Sequence, residues 1–322
     1  MADLERAAAL LQSWDKILVL SHRSPDGDTL GCASALCRAL ASLGKSVQFR
    51  CADAVPEKFG YLFRGIAFAE FEPERIVTVD VADKALLGAL EPLGERADLA
   101  IDHHATHRPF AREAWVEGGA AAACQMIWKL IPALGAEITP AIADCLYTGV
   151  ATDTGCFRYA NATPETFRIA AALIESGARS AEINRVMFDT KSRTAIALLK
   201  RVYSDMEFFH GGRCAVLCLT QRLIDETGAQ ESDLDGVSAT VRQVEGVLLG
   251  LTIRERGENE YKISLRAAEP ANAAEICAQF GGGGHKGAAG CTIHAPLEAV
   301  KAQIVEACGR ALEGLTPPGP LL

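Results

Sequence analysis

Short apolar runs alternate with alanine- and leucine-rich stretches through the first 180 residues. The runs 17–21 (ILVLS), 46–50 (SVQFR), 75–80 (RIVTVD) and 99–102 (LAID) have the length and composition of candidate strands. A fifth strand is expected near 145–153, in CLYTGVATD. Between these runs, GCASALCRALASLG (31–44) and ACQMIWKLIPALG (123–135) read as helices. Strands separated by helices predict a parallel sheet with helices on both faces. In such sheets ligands bind beyond the carboxyl ends of the strands.

From residue 181 the pattern changes. AEINRVMFDTKSRTAIALLKRVYSDM (181–206) carries charges and apolar residues at helical spacing, as a connection between two domains would. Beyond it, EFFHGGRCAVLCLT, GVLLGLTIRERG and EYKISLRAAE alternate as strands of a mixed sheet, with hairpin turns at Gly211-Gly212 and Gly257-Glu258-Asn259. The expected architecture is α/β throughout. A parallel-sheet domain over 1–185 is followed by a helical linker over 186–206 and a smaller α/β domain with a mixed sheet over 207–322. The tail LTPPGPLL reads as loose.

Composition narrows the function. The 322 residues suit two domains, and 49% hydrophobic with 23% charged residues is an ordinary globular balance. No apolar run approaches the roughly 20 residues of a membrane helix. The start, MADLERAAALLQSWDK, lacks the basic and apolar parts of a signal peptide, so a cytoplasmic location without a membrane role is expected. Eleven cysteines, odd in number, scattered and without a C-x-x-C pair, read as buried thiols rather than a zinc or disulfide framework. A net charge of −9 argues against coating long nucleic acid, but not against a short anionic ligand held by metal ions and a few arginines.

Hard-metal ligands gather at the predicted strand ends. His22, Asp26 and Asp28 follow the first strand, Asp80 closes RIVTVD, Asp102, His103 and His104 follow LAID, and Asp153 stands in ATDTG. Any one Asp has a structural reading as a helix N-cap, Asp28 for the helix after it and Asp153 for a turn. Together they would crowd like charge at one sheet edge, a cost that cations resolve. Carboxylates with imidazole and no thiolate set favour Mn²⁺, Mg²⁺ or Fe²⁺ over structural zinc. The ligand count suits two ions bridged by Asp80, the arrangement that drives phosphoester hydrolysis.

His22-x-x-x-Asp26-x-Asp28, Asp80, Asp102-His103-His104 and Thr152-Asp153-Thr154-Gly155 resemble, in order and spacing, the four motifs of the DHH phosphoesterase superfamily. By that resemblance His22, Asp26 and Asp80 hold one ion, and Asp28, Asp80, His103 and Asp153 the other. His104 then faces the scissile phosphate as charge stabiliser or proton donor, and Asp102 orients a ligand from behind. Cys32 stands where the family commonly has Ser, which touches only a bond at the helix start. His107 is expected at the surface. Arg158, five residues after Asp153, reaches either the substrate or a structural partner.

GGGGHKGAAG (281–290) is the second unusual stretch. Glycines without Cβ atoms let backbone N–H groups approach an anion, although a plain flexible loop has the same composition. Its context resembles the C-terminal DHH-associated domain. That likeness implies substrate contacts from Gly283, Gly284 and His285, with Arg266 and Ser264 from the strand ISLRA, while Lys286 faces solvent. A basic Arg-Lys-Lys signature of pyrophosphate-cleaving members is absent from the sequence. A chain of this length resembles the branch acting on very short RNA and on 3′-phosphoadenosine-5′-phosphate, and a homodimer is implied. Two alternatives stand beside it: a phosphodiesterase of cyclic or linear signalling dinucleotides, and a catalytically inactive nucleotide sensor.

Overall fold

All four apolar runs form strands in the computed structural model, which describes residues 2–234 and 236–315. They are β1 (Ile17–Leu20), β2 (Val47–Arg50), β3 (Arg75–Val79) and β4 (Leu99–Asp102), joined by a fifth, β5 (Glu113–Val116). All pair in parallel in the order β2-β1-β3-β4-β5. Every side chain of β1 is fully buried, as an apolar run inside a doubly covered sheet must be. β5 lies at the sheet edge with only Trp115 buried, so no apolar run announced it.

The helices of this unit are α1 (Leu4–Ser13), α2 (Gly27–Ser42), α3 (Glu91–Gly94), α4 (Ala123–Ala133), α5 (Pro140–Asp153), α6 (Pro164–Glu175) and α7 (Ser180–Asn184). The stretch 145–153, expected as a strand, is the second half of α5. Thr139 caps that helix by accepting from the Ile142 N–H, and Pro140 occupies its first turn. Ten successive residues from Ile142 to Ala151 are buried, so α5 is apolar all round and periodicity cannot separate it from a buried strand. α2 and α5 approach closely through small residues. A Cβ on Gly31 would meet the Cys145 carbonyl oxygen at 2.5 Å, and one on Gly149 would strike the Cys124 thiol.

The chain divides into two compact units, Met1–Thr190 and Lys191–Leu322. The continuous helix expected over 181–206 is interrupted: α7 passes into a π-turn over Arg185–Asp189, and α8 begins only at Arg193 and runs to Ser204. Ser192 ends the interruption by accepting from the Ala195 N–H, the local bond through which serine favours a cap over a helix interior. α8 buries Leu198 and Val202 against Leu217, Leu223 and Val241, so its residues belong to the second core.

That second unit contains β6 (Glu207–Phe209), β7 (Cys214–Leu219), β8 (Leu249–Gly257), β9 (Glu260–Ala267), β10 (Gly283–His285) and β11 (Ala288–His294). They form one mixed sheet in the order β10-β11-β9-β8-β7-β6, parallel only between β7 and β8. Both expected hairpin turns form, and Gly211, Gly212 and Asn259 supply the positive φ angles they need. Side chains alternate between two cores. Cys214, Val216, Leu249, Leu251, Ile263 and Leu265 face one, where Ile276 of α11 (Ala273–Ala278) and Val300 and Ile304 of α12 (Leu297–Leu312) pack. Ala215 and Leu217 face the other, with α8 and Leu223 of α9 (Gln221–Thr227) and Val237 of α10 (Val237–Thr240).

The glycine stretch, expected as a loop, forms the edge hairpin β10–β11. Among the described residues no helix is long and apolar enough to cross a membrane. Residues 316–322 of the expected loose tail lie outside the described residues.

Candidate metal centre

The parallel sheet brings its acidic and imidazole residues to one edge. His22 follows β1, and Asp26 caps α2 by accepting from the N–H groups of Asp28 and Thr29. Asp28 occupies the first turn of α2. Asp80 follows β3 directly in a left-handed conformation (φ 58°), while Asp102 ends β4 with His103 and His104 beyond it. Asp153 differs from the sequence expectation: it ends helix α5 rather than a strand. A buried helix supplies this group from across the sheet edge.

Two donor groups share this edge. His22, Asp26 and Asp80 form one; Asp28, His103 and Asp153 form another, with ligand atoms within 4.8 Å in each. Asp80 joins them. Its Oδ2 lies 3.5 Å from His22 Nε2, and its Oδ1 lies 3.4 Å from His103 Nε2 and 3.6 Å from His104 Nδ1. His103 Nε2 also stands 3.8 Å from Asp28 Oδ2 and 3.7 Å from Asp153 Oδ2. These separations are too long for direct hydrogen bonds and leave room for a shared cation.

Backbone contacts orient the imidazoles. His103 Nδ1 donates to the Ala120 carbonyl at 3.0 Å and His22 Nδ1 to the Arg23 carbonyl at 2.8 Å. Because a carbonyl only accepts, both rings present Nε2 lone pairs to the carboxylates when neutral. The Asp102 carboxylate is buried and pairs with two rings, His104 Nδ1 at 2.8 Å and His107 Nδ1 at 2.7 Å. His107 therefore does not serve at the surface. Its side chain is 5% exposed, because the second oxygen of a buried carboxylate requires a donor.

Asp28 has a role that its position alone did not indicate. Its carboxylate accepts from the Ala123 N–H at 2.6 Å and the Cys124 N–H at 2.9 Å, the first amides of α4. The N-cap position there is Ala122, which has no capping side chain, so Asp28 supplies the missing acceptor. A helix start without Ser, Thr, Asp or Asn was the available signal. Behind Asp28, the thiols of Cys32 and Cys124 touch at 3.4 Å. Asn161, unmarked in the sequence, donates to the Asp153 and Ala121 carbonyls at 3.2 and 3.1 Å and ties the end of α5 to the start of α4.

The electrostatics of this edge favour bound positive charge. Burial opposes protonation of His22, but neighbouring Asp80 and Asp26 carry its pKa up to about 9. Burial likewise opposes charge on His103, whose pKa Asp80 and Asp28 raise to about 10. Burial pushes Asp153 up to about 6 and, with the charges of Asp80 and Asp153, pushes Asp28 well above the usual carboxylate range. Asp80 Oδ1 is buried and accepts no hydrogen bond. An orphaned carboxylate oxygen between two imidazoles, in an oxygen-and-nitrogen donor set, fits a divalent cation.

The remaining sequence candidates lie elsewhere. Arg158 Nε donates to the Gly155 carbonyl at 2.6 Å, a contact within its own turn. Ser264 and Arg266 occupy one face of β9 in the second unit, opposite Gly290 and Ala288 of β11, which in turn face Gly283 and His285 of β10. Packing accounts for two of the glycines: a Cβ on Gly282 would strike the Gly290 carbonyl oxygen, and one on Gly284 would lie 2.6 Å from the Ala288 carbonyl oxygen. Gly283 meets nothing within 4 Å, and its φ is not positive. Lys286 pairs with Glu269 at 3.3 Å on the surface.

Fold and site together define a two-unit α/β protein with a hard-cation donor set at the carboxyl edge of its parallel sheet. Residues 16–150 match the DHH family, N-terminal domain, and residues 211–313 match the DHHA1 domain. A relative from Thermus thermophilus, named bifunctional oligoribonuclease and PAP phosphatase NrnA, is 36% identical over 86% of this chain and 84% of its own length. The chain belongs to the DHH family. A Bacillus subtilis relative of the same name is 23% identical over 89% of this chain and 92% of its own. Among solved structures, an exopolyphosphatase-related protein from Bacteroides fragilis matches with a TM-score of 0.85 and 25% identity, covering 96% of this chain and 95% of its own. Exonuclease RecJ bound to manganese shares the fold, with a TM-score of 0.56 and 18% identity over 98% of this chain and 97% of its own.

Proposed function

We propose that the chain is a divalent-metal-dependent phosphoesterase of the cytoplasm. It hydrolyses very short RNA to mononucleotides and removes the 3′-phosphate of 3′-phosphoadenosine-5′-phosphate. The observation that carries this reading is Asp80, a buried carboxylate with one unpartnered oxygen at the junction of two donor groups. The two relatives named as oligoribonuclease and PAP phosphatase support the substrate class.

In this reading His22, Asp26 and Asp80 hold one ion, and Asp28, Asp80, His103 and Asp153 hold a second, with Mn²⁺ the favoured metal. When bound, such ions supply Lewis-acid activation of water and neutralise phosphoryl charge. The chain's own residues supply the rest. Asp102 holds the Nδ1 proton of His104, which leaves Nε2 as the proton-handling atom towards a leaving oxygen. The α4 amides fix Asp28, and the Ala120 carbonyl fixes His103, so the donors are arranged before substrate arrives. We assign nucleotide binding in the second unit to Arg266, Ser264, Gly283, Gly284 and His285, and a supporting contact to Arg158. Gly283 favours this assignment, because internal packing does not demand a glycine there. The test is turnover by purified protein with Mn²⁺ of dinucleotides, long RNA and the bisphosphate. Release of mononucleotides from the dinucleotide and of phosphate from the bisphosphate is expected, each lost in Asp80→Asn; full activity in that variant refutes the reading.

A further inference from the structure

A cavity of about 300 Å³ opens in the first unit among Arg38 of α2, Tyr61, Arg64, Asp144 of α5 and Arg179. It is separate from the metal centre. Asp144 and Asp153 stand nine residues apart on α5, roughly 14 Å at the helical rise.

Three guanidinium groups line this cavity, and among the described residues only one has carboxylate partners. Arg179 Nε and Nη2 both lie 2.8 Å from Asp144 Oδ2, and its Nη1 lies 3.2 Å from Glu182. Arg38 donates through Nη2 to the carbonyls of Leu62 and Arg64 at 2.9 and 2.7 Å, which fixes its plane without neutralising it, and its buried Nε has no partner. No ion pair occurs at Arg38 or Arg64 among the described residues. In a chain of net charge −9, two unneutralised arginines beside one cavity are a built positive site.

Tyr61 adds a flat wall. Thr148 Oγ1 gives its proton to the Asp144 carbonyl at 2.7 Å, so the Tyr61 hydroxyl must donate to Thr148, 2.5 Å away. That bond holds the ring in place. A cavity of this size is at the lower end for small-molecule sites and exceeds what a bare phosphate ion fills. Forked guanidinium groups match phosphate oxygens, and an aromatic face accepts a base.

We propose that this cavity binds a phosphate monoester dianion, its phosphate between Arg38 and Arg64 and any attached nucleoside against Tyr61. Its sources would be a nucleoside monophosphate or free orthophosphate. The proposal does not depend on the hydrolytic function.

The experiment is calorimetric titration of the full chain with adenosine monophosphate, orthophosphate and adenosine, with Mn²⁺ and again with chelator to silence binding at the metal centre. A metal-independent site for the monophosphate is expected that persists in Arg266→Ala, which removes the second-unit contact. Arg64→Ala, which removes no internal hydrogen bond of that side chain, should weaken it by about tenfold, the loss of one charge-assisted contact. Arg38→Gln should weaken it as far, while dinucleotide turnover by Arg64→Ala stays unchanged. Equal affinity for orthophosphate and the monophosphate would identify phosphate alone as the ligand. The proposal is overturned if neither phosphate compound binds the chelated protein at millimolar concentration, if adenosine binds as well as the monophosphate, or if Arg64→Ala and Arg38→Gln both bind like the wild type.

Discussion

Alanine usually stabilises a helix relative to glycine by about 1 kcal/mol. Gly149 in the middle of α5 should do the reverse. A Cβ there would strike the Cys124 thiol and lie 2.7 Å from Asp28 Oδ1. Neither neighbour is free to yield. Cys124 lies in the first turn of α4, its thiol 3.4 Å from that of Cys32, and Asp28 is anchored by the Ala123 and Cys124 amides. Overpacking of this kind costs about 1–3 kcal/mol, and its upper end applies where the obstruction is fixed. Subtracting the propensity gain leaves Gly149→Ala destabilised by about 2 kcal/mol, a fall in melting temperature of roughly 4–8 °C for a unit of this size. Gly60, with nothing within 4 Å and no positive φ, is the control, and Gly60→Ala should shift stability by less than about 0.5 kcal/mol. With Asp28 in the proposed donor set, Mn²⁺ affinity of Gly149→Ala should also fall by about tenfold or more. Thermal denaturation and metal titration of both variants supply the readout. A Gly149→Ala protein as stable as wild type, with unchanged Mn²⁺ affinity, would refute the tight α2–α4–α5 junction as the support of Asp28.

Metal binding should release protons, because His22 and His103, raised to about 9 and 10, are charged in the metal-free site near pH 7.5 and must become neutral to coordinate. Affinity should therefore rise with pH, with about two protons released per chain near neutrality; titration in two buffers of different ionisation heat measures this, and no release would contradict it. Asp102→Asn should cut turnover by about a hundredfold or more while metal content stays near normal, since it disturbs the His104 tautomer and not a donor; a matching loss of metal would make Asp102 a support of the ions instead. Gly283→Ala should leave the melting temperature unchanged and raise KM for dinucleotides, whereas Gly284→Ala should destabilise the β10–β11 hairpin; equal effects on stability would remove the ligand argument for Gly283. Cys32→Ser should keep metal binding intact, as a serine hydroxyl can replace the 3.7 Å hydrogen bond of the thiol to Asp28 Oδ1 beside Cys124; a loss of metal in that variant would contradict this.

Much of the fold was legible because burial on both faces writes strands as unbroken apolar runs. β1, β3 and β4 follow that rule, while β9 shows the alternation of a strand with one buried face. The same rule misled at 145–153, where a helix buried on every side is also an unbroken run, and only Thr139-Pro140 marked its true start. β5 was silent, since an edge strand with one buried residue lacks the pattern. At the site, residue types and spacing brought forward the six candidate donors that the structure gathers at one sheet edge, but not how they are held. The contacts from Asp28 to α4, from Asp102 to His107 and from Asn161 to Asp153 span 95, 5 and 8 positions and carry no local periodicity. His107 in particular reads as a surface residue until the second oxygen of Asp102 is seen to need it.

The decisive measurement is the metal content of the full chain after Mn²⁺ loading and desalting, taken beside Asp80→Asn and with dinucleotide turnover recorded for both. Two ions per wild-type chain, fewer than one in Asp80→Asn, and turnover lost with them is the expected outcome. A wild-type chain that hydrolyses dinucleotides with no retained metal, or an Asp80→Asn chain that keeps both ions and full activity, would contradict a centre joined through Asp80.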